Sequence, residues 1–119
     1  MTHGNGARFT TTARPGTDGP VLAAAGDLDL ASAPLLSRAI EQALDERPSP
    51  SVLTVDLAGV AFCDSAGLNA LLTTRTRARN QSTEMRLAAP CEQVLMLLEM
   101  TGADALFPLE PAGPANSPS

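Results

Sequence analysis

Ser65 stands in the segment Phe62-Cys63-Asp64-Ser65-Ala66-Gly67-Leu68-Asn69, between a short apolar strand over 52–57 and a helical pattern that starts near Leu68. That junction puts its hydroxyl at a helix N-terminus. There the first backbone N–H groups lack helical partners, and the aligned peptide dipoles favour negative charge. A hydroxyl so placed can do three things: attack as a nucleophile, cap the helix, or accept a phosphoryl group.

The nucleophilic reading is the weakest. A serine elbow between strand and helix follows G-x-S-x-G; here Cys63 takes the first glycine position and only Gly67 fits. The single histidine, His3, lies in a polar N-terminal stretch, and the chain has no lysine. No histidine or lysine base is therefore at hand, and the chain is expected not to be an enzyme. In the capping reading, Asp64 or Ser65 closes the helix start and Gly67 permits tight packing. In the third reading, phosphorylation adds about 1.5 to 2 negative charges at neutral pH, which a helix N-terminus tolerates. The effect then falls on a partner docking over the turn. Capping and phosphorylation are compatible.

Composition narrows the partners. The chain has 119 residues, the size of one domain, and 44% of them are hydrophobic. With three Phe and no Trp or Tyr, Leu, Val and Ala must fill the core. Net charge is −5, and all eight basic residues are Arg. An acidic chain without Lys or stacking aromatics is poorly suited to nucleic acid. No secretory signal pattern is visible, and the longest apolar run, Val94 to Leu98, is too short to span a bilayer. The expectation is a cytoplasmic protein that engages neither membrane nor nucleic acid directly. Cys63 and Cys91 form no disulfide framework or metal motif and read as small hydrophobes, so no metal site is expected.

The elements that position Ser65 follow from periodicity. Residues 1–7 read as a flexible start. Phe9, Thr11 and Ala13 alternate with polar residues, as in a strand with one wet face. A dense turn signal over 15–20 and a second strand over 21–25 predict an antiparallel hairpin, ended by Gly26-Asp27-Leu28-Asp29. Ser32 reads as the N-cap of a first helix, with Pro34 in its first turn and Leu36, Ile40, Ala43 and Leu44 inward. Pro48 to Ser51 stops that helix. Residues 52–57 read as a central strand covered on both faces, and Ala58-Gly59 as a bend. The second helix is expected over 65–79. Arg75, Arg77 and Arg79 near its C-terminus read as a solvated helix end. Met85, Leu87 and Ala89 form a further strand. A third helix opens at Pro90, turns Val94, Leu95 and Leu98 inward and ends at Gly102. Leu106, Phe107 and Leu109 read as a last short strand, and residues 110–119 as a disordered tail. The order β-β-α-β-α-β-α predicts one α/β domain over 8–109. Its sheet is mixed, mostly parallel and four- to five-stranded, with an N-terminal antiparallel hairpin and three to four helices.

The chain resembles STAS-domain anti-sigma factor antagonists. The residues that carry the likeness are Gly26-Asp27-Leu28-Asp29, Val55-Asp56-Leu57 with Val60, Phe62 to Leu68, and Leu97-Leu98-Glu99-Met100-Thr101-Gly102. By their order and spacing the resemblance covers about residues 9 to 109, nearly the whole domain. The resemblance implies a partner-switching cycle: the unphosphorylated chain binds an anti-sigma factor that is also a serine kinase, and so frees a sigma factor. Phosphorylation of the D-S-x-G serine, here Ser65, ends binding, and a serine phosphatase resets the switch. It also implies no cofactor of the chain's own, since ATP belongs to the kinase, and a monomer or weak dimer.

Under the same resemblance Asp64 flanks the acceptor, Gly67 allows close backbone approach, and Asp27 and Asp29 line the same surface. An Asx-turn is an equal reading for Asp29. Many relatives carry a second serine where Ala66 stands. Asn69, one turn into the helix, is a further partner contact. Met96 and Met100 fall off the inward face of the third helix and read as partly buried or as a contact surface. The alternative within this fold is an unphosphorylated STAS scaffold or an accessory to a transport system.

Overall fold

The computed structural model describes residues 8–110. The expected flexible start over 1–7 and the tail beyond Glu110 lie outside the described residues. The elements run β1 (Thr10–Arg14), β2 (Val21–Leu28), α1 (Ala33–Leu44), β3 (Val52–Cys63), α2 (Ser65–Asn80), β4 (Glu84–Ala88), α3 (Glu92–Thr101), a 3₁₀ turn (Ala103–Leu106) and β5 (Leu109–Glu110). The expected single mixed α/β sheet is present, with five strands in the order β1-β2-β3-β4-β5. β1 pairs antiparallel with β2, from Thr10 opposite Ala25 to Arg14 opposite Val21. The other pairs are parallel.

Each parallel step moves to the next strand in the same direction. Right-handed crossovers therefore put α1, α2 and α3 on one face of the sheet. One core lies between them: Leu53, Val55 and Leu57 of β3 meet Leu36, Ile40 and Leu44 of α1, Leu68 and Leu71 of α2, and Val94 and Leu98 of α3. The central strand is therefore not helix-covered on both faces, as its apolar run predicts. The opposite face carries Thr54 and Asp56, and Asp56 pairs with Arg14 at 3.3 Å. The turn between β1 and β2 folds over that face. Its Asp18 takes Arg86 at 3.1 Å, and a Cβ on Gly16 would lie 2.6 Å from Val21 Cγ2.

β2 and β3 are both longer than their sequence pattern predicts. β2 continues through Gly26 to Leu28, and β3 passes straight through Ala58-Gly59 to Cys63. The cause is visible in the register. Ala23 faces Asp56, Ala25 faces Gly59 and Asp27 faces Phe62, so β3 gains one residue on β2 at each step. These bulges change the inward spacing from two (Leu53, Val55, Leu57) to three (Leu57, Val60, Cys63).

The last strand is displaced as well. Ala103 to Leu106 form the 3₁₀ turn, and β5 holds only Leu109 and Glu110. Arg75 of α2 fixes that turn, donating Nε–H to the Leu106 carbonyl at 2.7 Å and lying 5.9 Å from the Phe107 ring centre. Arg77 pairs with Glu41 and Asp45 of α1. Two of the three arginines expected at a solvated helix end thus tie α2 to its neighbours. Gly102 ends α3 in the left-handed region, φ +76°, as a C-cap glycine should.

Candidate functional site

Strand β3 carries the chain to the C-terminal edge of the parallel sheet and hands it to α2 at one fixed corner. Leu28 and Cys63 are register partners, and the Asp64 N–H donates to the Leu28 carbonyl at 3.1 Å. The Cys63 N–H donates to Gln93 Oε1 of α3 at 2.8 Å. The corner is therefore held from two neighbouring elements before the helix begins.

Asp64 is the N-cap. Its backbone is extended (φ −106°, ψ −172°), and Oδ1 accepts the N–H groups of Ala66 at 2.9 Å and Gly67 at 3.2 Å. This geometry resolves which of the two candidate residues closes the helix. Ser65 becomes the first helical residue; it is exposed, and no hydrogen bond is found for its hydroxyl among the described residues. Asn69, four residues on, is also exposed, so both lie on one outward face of α2.

Gly67 faces inward. A Cβ there would fall 2.6 Å from Leu28 Cγ and 2.9 Å from Cys63 Sγ. It is buried, so it shapes the corner from inside, while Ala66 is half-buried. Cys63 is buried at 1% exposure, and its thiol is pushed up to about 12, by burial first and then by the neighbouring Asp64 and Cys91. A thiol with so little thiolate is no nucleophile.

The turn between β2 and α1 forms the other side of this edge. Asp27, half-buried, is the register partner of Phe62. Its carbonyl accepts the Ser32 hydroxyl at 2.7 Å. Ser32 also accepts the Asp29 N–H at 2.9 Å, and Asp29 Oδ1 accepts the N–H groups of Ala31 and Ser32, each at 3.1 Å. Asp29 therefore makes the Asx-turn. Ser32 occupies the cap position of α1 but makes no side-chain cap bond, because its hydroxyl is committed to the preceding turn.

Three apolar residues at this edge are exposed: Leu30 in the turn (78%), Leu35 in the first turn of α1 (48%) and Phe62 at the end of β3 (42%). Sequence reasoning assigned none of them to the site. The available signal was Leu30, an apolar residue inside a polar turn. Met96 and Met100 on α3 are exposed as well, not partly buried. Among the described residues no group of three or more His, Cys, Asp or Glu could hold a metal ion, and no helix is long and apolar enough to cross a membrane. His3 lies outside the described residues.

The arrangement offers an unengaged hydroxyl beside a capped helix start, next to exposed apolar side chains. Solved structures share the frame. An anti-sigma factor antagonist from Mycobacterium paratuberculosis is 28% identical, covers 87% of this chain and 86% of its own, and superposes with a TM-score of 0.75. The Bacillus cell fate determinant SpoIIAA, in its phosphorylated form, is 15% identical with coverages of 91% and 94% and a TM-score of 0.68. The murine Solute Carrier 26 family member A9 anion transporter is 17% identical with a TM-score of 0.68, over 78% of this chain but 16% of the transporter. The STAS domain model matches residues 9–112, and the chain belongs to the STAS domain family.

Proposed function

We propose that this chain is an anti-sigma factor antagonist in a partner-switching cycle. The unphosphorylated form binds an anti-sigma factor serine kinase and frees the sigma factor. Phosphorylation of Ser65 ends that binding, and a serine phosphatase restores it. The observation that carries the reading is the exposed Ser65 hydroxyl at the first position of α2, unengaged beside the Asp64 cap. The likeness to the Mycobacterium paratuberculosis antagonist supports it. Ala66 removes any competing hydroxyl at the next position.

The magnitudes suffice. Weakening a complex about 100-fold takes about 2.7 kcal/mol, and juxtaposed like charges at an interface cost several kcal/mol. One phosphate is therefore enough where the partner covers Ser65. Leu30, Leu35 and Phe62 supply apolar area for that partner, and Asn69 lies on the same outward helix face as Ser65. Asp27 and Asp29 shape the adjoining turn.

The test is intact mass after incubation with the cognate kinase and ATP, for the native chain and Ser65→Ala. The native chain gains one phosphate and Ser65→Ala gains none, while Ser65→Ala still binds the kinase. Label on Ser65→Ala would remove Ser65 as the acceptor.

A second reading, a scaffold or transport accessory that is not phosphorylated, is favoured by Met96 and Met100, an exposed apolar pair on a different helix. It predicts an unlabelled chain that co-purifies with a larger assembly irrespective of ATP.

A further inference from the structure

We infer that Asp64 keeps a phosphate on Ser65 out of the helix N-terminus, so that the fold displays the added charge to the partner instead of absorbing it. The inference rests on Ser65 being the phosphoacceptor. A helix start ordinarily welcomes an anion because its first N–H groups are free. Here they are committed. Asp64 Oδ1 holds the Ala66 and Gly67 N–H groups, and the Asp64 carbonyl holds that of Leu68 at 3.1 Å. The N–H groups just upstream are engaged too, that of Asp64 by Leu28 and that of Cys63 by Gln93. Among the described residues, only the N–H of Ser65 itself is left without a partner at this corner.

The occupant is moreover a carboxylate on the adjacent residue. A phosphate on Ser65 meets a like charge where an uncapped helix would offer it donors. Asp27 near the end of β2 and Asp29 in the turn that follows add charge of the same sign. Arg14, Arg75 and Arg77 are engaged with Asp56, Leu106, and Glu41 with Asp45, away from the corner. Arg38 stands three residues before Glu41 and seven before Asp45 on α1, on the stripe that faces Arg77. It is one cation to control for; the other is Arg8, exposed, with its carbonyl oxygen 2.8 Å from where a Cβ on Gly26 would lie, beside Asp27.

The experiment installs phosphoserine at position 65 during translation, so no kinase is needed, and compares Tm with and without the phosphate in five backgrounds. In the native background the phosphate lowers Tm by roughly 3 °C. In Asp64→Asn, which keeps a capping oxygen without its charge, the phosphate leaves Tm unchanged. In Asp64→Ala, which frees the Ala66 and Gly67 N–H groups, the phosphate raises Tm. In Arg38→Ala and in Arg8→Ala the native drop persists at the same size. A rise in the native background overturns the inference. So does an equal drop in Asp64→Asn, or a drop that at least doubles in Arg38→Ala or Arg8→Ala, which would mean that the arginine removed had been holding the phosphate. If Asp64→Ala does not fold, the native and Asp64→Asn pair decides alone. Failure of the cognate kinase to label Ser65 would defeat the proposed cycle and leave these Tm differences standing.

Discussion

Gly67 packs against Leu28 so closely that a Cβ on the glycine would sit 2.6 Å from the leucine Cγ, with Cys63 Sγ 2.9 Å away. Leu28 is fully buried and Cys63 nearly so, and close-packed interiors yield little to added atoms. Overpacking a filled core costs about 1–3 kcal/mol, against about 0.5–1 kcal/mol that alanine gains over glycine inside a helix. Gly67→Ala is therefore expected to lower the unfolding free energy by a net of about 1 kcal/mol, read as a fall in the urea midpoint at unchanged slope. It should also weaken partner binding, because the Ser65 corner moves with the helix start. An unchanged midpoint would show that the corner yields without strain.

Asp64→Ala removes the acceptor for the Ala66 and Gly67 N–H groups. Loss of such a cap costs about 0.5–2 kcal/mol. Asp64→Asn retains an acceptor oxygen and should stay within a few tenths of a kcal/mol of the native chain. Urea denaturation of the unphosphorylated variants measures both. Equal losses in the two would mean that the carboxylate charge at the helix start matters more than its hydrogen bonds.

Much of this corner was legible in the sequence. Ser65 opens α2 as its spacing predicts, the cap falls on one of the two residues offered for it, and Gly102 ends α3 as expected. The second half of β3 was not legible. Periodicity assumes a constant step, and the bulges opposite Ala25 and Asp27 change that step from two to three at Leu57, Val60 and Cys63. Leu106, Phe107 and Leu109 alternate like a strand, yet Arg75, more than thirty residues upstream of Leu106, holds its carbonyl in a 3₁₀ turn. Leu30, Leu35 and Phe62 were missed for a related reason. Exposure of an apolar side chain is a property of what the fold leaves uncovered, and no local pattern carries it.

Leu30 is the most exposed large hydrophobic residue of the described chain, at 78%. It contributes little to the core, so Leu30→Ser should leave Tm within about 2 °C of native, as surface substitutions do. If the β2–α1 turn contacts the kinase, the same change should weaken binding about 10-fold, which corresponds to about 1.4 kcal/mol. Isothermal titration against the purified kinase reads the second quantity and thermal melting the first. Native affinity in Leu30→Ser would place the turn outside the interface.

Cys63 gives the chain a defined alkaline response. Its thiol is raised from 9.0 to about 12 in the folded state, by burial first and then by Asp64 and Cys91. Well below pH 9 the thiol is protonated in both folded and unfolded chains and contributes no slope. Between pH 9 and 12 the unfolded chain releases this proton and the folded chain keeps it. The unfolded state then binds fewer protons, so stability falls as pH rises through that window. The chain contains no lysine and no tyrosine to titrate over the same range. Urea midpoints measured across the window should therefore decline, and Cys63→Ala should remove most of the decline even though it lowers stability throughout. A second measurement uses the same burial: iodoacetamide at pH 8 should label the partly exposed Cys91 and reach Cys63 only after denaturation. Rapid native labelling of Cys63 would mean that the corner between β3 and α2 opens on the timescale of alkylation, and the fixed geometry assigned to Asp64 and Ser65 would fail with it.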